Sequence, residues 1–196
     1  MSRSLLSASL VIALISISVA GDQPTDRHPE QGGLYHDRGL LEEAINEYKE
    51  ALRLNPYDPV LHNNLGNAYA EKGLLDEAID EYRQALRIKP DLIEAHYNLG
   101  NAYLKKGLLE EAIQEYGRAL EMKPDYADAH NNLGVAYLER GLPEEAVREC
   151  REAVRLNPYL ASAHYNLGYA YYSKGLLDEA IREYREALRL KADYVE

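Results

Sequence analysis

The sequence predicts an all-α solenoid, a stack of helix–turn–helix hairpins, and three observations carry that prediction. A 34-residue unit recurs along the chain, as residues 25–58, 59–92, 93–126, 127–160 and 161–194, the first of them only in part. One glycine per unit keeps strict register, at Gly39, Gly73, Gly107, Gly141 and Gly175. Within each unit the apolar residues recur at helical spacing. A unit of this size cannot bury a core alone, so the units must stack into one elongated body.

Taken in order, residues 1–20 read as a signal peptide. Arg3 is followed by an apolar run from Leu5 to Val19, and Ser18-Val19-Ala20 before Gly21 fits a signal-peptidase site. The run is shorter than the ~20 residues a helix needs to span a bilayer. That favours cleavage after Ala20 and export, periplasmic or secreted, over an uncleaved amino-terminal membrane anchor. Residues 21–33 are rich in Pro, Gly, Asp and Gln and are expected to form a linker into the first repeat. The first helix of that repeat should be short or frayed, because Pro29, Gly32 and Gly33 fall within it. Its second helix, Glu42 to Leu54, should be solid.

The second unit shows the pattern in full. His62, Leu65, Gly66 and Tyr69 fall at i, i+3, i+4 and i+7, one face of a helix over Val60 to Lys72. Lys72 suits the carbonyl end of that helix. Gly73 follows, and glycine takes the left-handed position after a helix without steric cost. Asp76 and Glu77 place acids at the positive end of a second helix. The apolar face of that helix is Ala78, Ile79, Tyr82, Ala85, Leu86 and Ile88, and Pro90 closes the unit. Gly66, Ala68, Ala78 and Ala85 have almost no side chain, so the helices can approach closely.

The third unit reads His96-x2-Leu99-Gly100-x2-Tyr103, then Ala112-x3-Tyr116, then Ala119 and Pro124. This pattern resembles the tetratricopeptide repeat, with His for the usual Trp and Tyr for the usual Phe. The resemblance covers residues 59–194 fully and 25–58 in part. It implies a right-handed superhelical solenoid whose concave wall is built from the first helix of each unit. On those helices one stripe avoids the core, and one column of it never varies: Asn64, Asn98, Asn132 and Asn166. Beside it stand Asn67 and Asn101, the set Asn63, Tyr97, Asn131 and Tyr165, and Tyr169. Asn is a poor helix former, so the repetition needs a reason. Its amide can pair with a peptide N–H and C=O together. The column resembles the asparagine ladder of O-linked N-acetylglucosamine transferases, which implies a grip on an extended peptide backbone. Alternatively the amides bond neighbouring hairpins and fix the stack. The basic clamp that chaperone co-factors of the family use for carboxylate tails is missing, since Asn63, Tyr97, Asn131 and Tyr165 stand in place of its first lysine.

Composition excludes some partners. The net charge of −11 argues against nucleic acid, which demands basic surface, and against anionic lipid. The single Cys150 stands where other units have Tyr and reads as a small buried hydrophobe, with an intermolecular disulfide as the alternative. His28, His62, His96, His130 and His164 repeat in register, but one per hairpin is too sparse to supply the three or four ligands of a zinc site. The acids Glu110, Glu111, Glu144 and Glu145 read as solvated residues at helix starts. No nucleophile motif or phosphate loop occurs, so neither enzyme activity nor a cofactor or metal is expected.

The last unit has Ala192 where the others close with proline, and no capping helix follows. Ile181, Tyr184, Leu188 and Leu190 should be partly uncovered there and support a weak, two-fold homodimer. The expected function is an exported scaffold that binds a protein or peptide segment in its concave groove. The alternatives are a self-assembling structural repeat protein, or a non-catalytic regulatory module of a transferase or secretion complex.

Overall fold

The computed structural model describes residues 24–192; the expected signal peptide and its cleavage site lie outside them. Among the described residues there are ten α-helices and no strand. They form five hairpins: α1 (Pro24–Asp37) with α2 (Leu41–Leu54), α3 (Pro59–Glu71) with α4 (Leu75–Ile88), α5 (Ile93–Lys105) with α6 (Leu109–Met122), α7 (Ala127–Glu139) with α8 (Pro143–Leu156), and α9 (Ala161–Ser173) with α10 (Leu177–Ala192). Each hairpin turns on its register glycine, at φ between +71° and +83°, a region in which a side chain would be strained.

Close packing explains the small residues. A Cβ built on Gly66 or Gly100 would come within 2.6–2.7 Å of the ring of Tyr82 or Tyr116. These tyrosines are among the most completely buried side chains, and the Ala78, Ala85, Ala112 and Ala119 that flank them are fully buried. Tyrosine supplies the volume and the small residues supply the approach.

The first hairpin corrects the expected linker and frayed helix. Residues 24–33 belong to α1, a helix of 14 residues that runs through Pro29. Gly32 is not a breaker. It is the register equivalent of Gly66 and seats Tyr48, whose ring lies 2.6 Å from a Cβ placed there. Packing on α2 therefore outweighs the poor helix propensity of Pro and Gly.

Each first helix touches the first helix of the next hairpin, whereas successive second helices do not touch. The first helices therefore line the inner, shorter side of a curved stack. The hairpins are keyed together at their edges by Lys72–Glu42, Lys106–Asp76, Arg140–Glu110 (2.9 Å) and Lys174–Glu144 (3.4 Å). Each joins the end of one first helix to the start of the preceding second helix. Exposed pairs of this kind contribute little individually.

Candidate functional site

The inner wall carries the predicted site residues, and most of them bond one another. Asn98 Nδ2 donates to Asn63 Oδ1 (3.0 Å), and Asn166 Nδ2 donates to Asn131 Oδ1 (2.9 Å). Asn132 Nδ2 donates to the Tyr97 hydroxyl (3.1 Å) and to Asn101 Oδ1 (2.9 Å). Each of these bonds crosses from one hairpin to the one before it. Tyr82 and Tyr116 add hydroxyl bonds to Asn67 Oδ1 (2.8 Å) and Asn101 Oδ1 (2.7 Å) within their own hairpins. Asn63 and Asn131 are buried, so they hold the stack and offer nothing to a ligand.

Among the described residues Asn64 has no such bond. Its acceptor position in the preceding unit is Pro29, which has no side-chain acceptor. Its amide stays open on the wall, beside a hollow of about 250 Å3 shared with Gly33, His36, Asp37, Tyr48 and Asn67. A hollow of about 270 Å3 follows between α3 and α5, lined by Asn67, Glu71, Tyr82, Asn98, Asn101 and Lys105. A third, also about 270 Å3, lies between α7 and α9 against Val135, Leu138, Glu139, Tyr165, Asn166 and Tyr169. The wall thus changes character along its length, from amide-lined to aromatic. Tyr165, Tyr169 and Tyr172 are all exposed, on one stripe of α9.

Tyr97 is not open in the way Tyr165 is. Its ring centroid lies 4.8 Å from that of Tyr126 and 6.0 Å from that of Tyr116. Burial raises its phenol pKa, and burial pushes that of Tyr126 up to about 12. These rings are packing elements at neutral pH, without proton chemistry.

Sequence reasoning missed a column of carboxylates. His62, His96, His130 and His164 each place Nδ1 2.6–2.8 Å from Glu81, Glu115, Glu149 and Glu183. Their Nε2 atoms lie 2.9–3.1 Å from the carbonyls of Pro56, Pro90, Pro124 and Pro158. Carboxylate and carbonyl are both acceptors, so only an imidazolium with two N–H donors satisfies them together. Each clip ties both helices of a hairpin to the loop entering it. The signal was present: Glu47, Glu81, Glu115, Glu149 and Glu183 recur every 34 residues, each 19 after a histidine. Among the described residues no group of three His, Cys, Asp or Glu is placed to hold a metal ion.

Comparison with known proteins agrees with this architecture. A TPR repeat model matches residues 32–73, 66–107, 101–141 and 138–175, and a tetratricopeptide repeat model matches 161–194. No curated protein matches the sequence. The chain is similar to the crystal structure of MamA protein, at 28% identity over 87% of this chain and 93% of that one, with a TM-score of 0.76. It also shares the fold of MamA from Desulfovibrio magneticus RS-1 (residue 41 to the end), at 24% identity over 89% and 98% of the two chains and a TM-score of 0.81. These hairpins are a non-catalytic fold suited to protein contacts, and the chain belongs to the tetratricopeptide repeat family.

Proposed function

We propose that the protein is an exported scaffold that holds an extended segment of another protein along its inner wall, without catalysis and without nucleic acid. The observation that carries the reading is the three hollows along the inner wall, between α1 and α3, between α3 and α5, and between α7 and α9. An extended peptide presents alternate side chains to one face. Such hollows can receive side chains, and the open amide of Asn64 and the carbonyls of Asn98 and Asn166, which have no hydrogen-bond partner among the described residues, suit its backbone. Tyr165 and Tyr169 add broad contact area at low entropic cost. Most amides of the asparagine column are committed to the stack, so specificity would rest on these few open groups. Selection from a random peptide library on the chain from Gly21 onward tests the reading. Enrichment of sequences with apolar residues two apart supports it, and no enrichment above a blank surface counts against it.

Export rests on the Leu5–Val19 run and the Ser18-Val19-Ala20 site. Among the described residues no helix is long and apolar enough to cross a membrane. Amino-terminal sequencing of the protein recovered outside the cytoplasm should begin at Gly21; retention of Met1 would favour the anchor.

A further inference from the structure

The two ends of the stack are chemically unlike. In the second unit Leu61, Leu65 and Ala68 are buried. Their equivalents in α1 are Arg27, Gln31 and Leu34, of which Arg27 and Leu34 are exposed, so among the described residues the corresponding face of the first hairpin is the more polar one. The carboxy-terminal end does the opposite. Ile45, Ile79 and Val147 are buried beneath the next hairpin, but the equivalent Ile181 is 47% exposed. Leu177 is 55% and Leu188 68% exposed, and a groove of about 620 Å3 runs along α9 and α10 past Tyr184, Leu188 and Lys191. Leu190, expected on the same patch, is buried instead; α10 continues to 16 residues, where the other second helices have 14, and its last turn points Leu190 inward.

Two charged columns lose their partners at this end, among the described residues. Glu42, Asp76, Glu110 and Glu144 each hold a cation from the following hairpin, but the fifth member, Asp178, has no partner among the described residues. Lys49 and Arg83 lie over the rings of Tyr69 and Tyr103, and Arg151 bonds the Tyr171 hydroxyl (2.7 Å), all on the following hairpin. Arg185, the last of that column, has no such ring among the described residues.

We propose that this face is the contact between two copies of the chain, with the two α10 helices antiparallel about a two-fold axis near Tyr184 and Arg185. Leu177, Ile181, Tyr184, Leu188 and Lys191 are spaced 4, 3, 4 and 3 residues apart, the seam of a paired helix. The seam is nearly palindromic about its centre. Antiparallel pairing sets Ile181 against Leu188 of the second copy, and Asp178 beside Lys191 of the second copy, twice over. Two-fold symmetry thus covers the apolar residues and pairs Asp178 with Lys191 at both ends of the seam. Head-to-tail stacking does not, because it would press Arg27 and Gln31 onto the apolar face. A seam one helix long, about 24 Å, is a small interface, so the dimer should form on the order of 10–100 µM.

Sedimentation equilibrium of the full chain, from about 5 to about 300 µM, tests the proposal. The mass should rise from monomer to twice monomer and stop there. Leu188→Lys should abolish the rise. Asp178→Lys and Lys191→Asp should each weaken it about tenfold, and the double swap should restore it. Arg185→Cys should cross-link to itself on oxidation. All four positions are exposed, and helix content by circular dichroism should not change. A monomer at every concentration would overturn the proposal, since another segment then covers the face. A dimer indifferent to these substitutions, or a mass that grows past two copies, would overturn it equally.

Discussion

His96 Nδ1 lies 2.6 Å from Glu115 Oε2, across 19 residues of chain, with side-chain exposures of 6% and 8%. The pair fastens α5 to α6, and the second ring nitrogen reaches back 2.9 Å to the Pro90 carbonyl at the end of the preceding unit. A buried ion pair is weak evidence for stability in itself, but removing one partner strands the other. Glu115→Ala should therefore cost about 3–5 kcal/mol in chemical denaturation. Glu81→Ala should cost visibly less, because His62 and Glu81 are 14% and 24% exposed and water can replace the lost partner. Equal losses at the two sites would show that burial does not set the cost.

The same clips predict a pH dependence. The imidazole pKa values of His62, His96 and His130 are raised above the ordinary 6.5. At His62 and His130 the glutamate hydrogen bond is the main cause. At His96 burial is the strongest influence and pulls downward, but the Glu115 and Pro90 acceptors together outweigh it. A raised folded-state pKa means that the folded chain binds the proton more tightly than the unfolded chain. The stabilisation is complete below the unfolded value and is lost as pH rises through the raised ones. The melting temperature should fall as pH rises above about 6.5, and a His62→Gln/His130→Gln variant should show a shallower fall.

The hairpins, the turn glycines and the inner-wall stripe were legible in the sequence because a 34-residue period repeats every packing contact. Two features were hidden by residue chemistry that points both ways. Glu115 looks like any other helical acid, since charge predicts exposure unless a partner 19 residues away is considered. Gly32 looks like a helix breaker beside Pro29, since propensity acts locally while the Tyr48 ring that needs the gap comes from the next helix. The asparagine column was visible at once, and so was the alternative that its amides bond a neighbouring hairpin, but residue type alone did not decide between the two; Asn98, Asn132 and Asn166 do reach the previous hairpin. An amide serves a ligand and a neighbour with the same atoms.

Gly100 and Gly117 should respond oppositely to substitution. Gly100→Ala places a Cβ 2.7 Å from the Tyr116 ring, which is fully buried and cannot yield, so it should cost about 1–3 kcal/mol. Gly117 meets nothing within 4 Å and lies inside α6, so Gly117→Ala should stabilise by up to about 1 kcal/mol. Gly117→Arg should do at least as well. It restores the column of Arg83 and Arg151, which bond the hydroxyls of Tyr103 and Tyr171 and would here reach Tyr137. Thermal melts of the three variants check the order.

Cys150 should be inert while the chain is folded. It is fully buried against Gly134, and burial pushes its thiol pKa up to about 12. Labelling by a thiol reagent at neutral pH should proceed only at the rate of global unfolding. Fast labelling in native buffer, or a disulfide-linked dimer through Cys150, would show that the α7–α8 hairpin opens on its own.

The proposed inner-wall site would bind an extended peptide through its open groups. The most direct measurement is the affinity of one library-selected peptide for the chain and for three variants: Tyr169→Ala, Asn64→Ala and, on an exposed second-helix position, Arg155→Ala. Tyr169→Ala should weaken binding about tenfold, as expected for an aromatic anchor. Asn64→Ala should weaken it about threefold to tenfold through lost backbone hydrogen bonds, and Arg155→Ala should leave it unchanged. Binding that survives both inner-wall substitutions but falls with Arg155→Ala would place the site on the second helices and contradict the account.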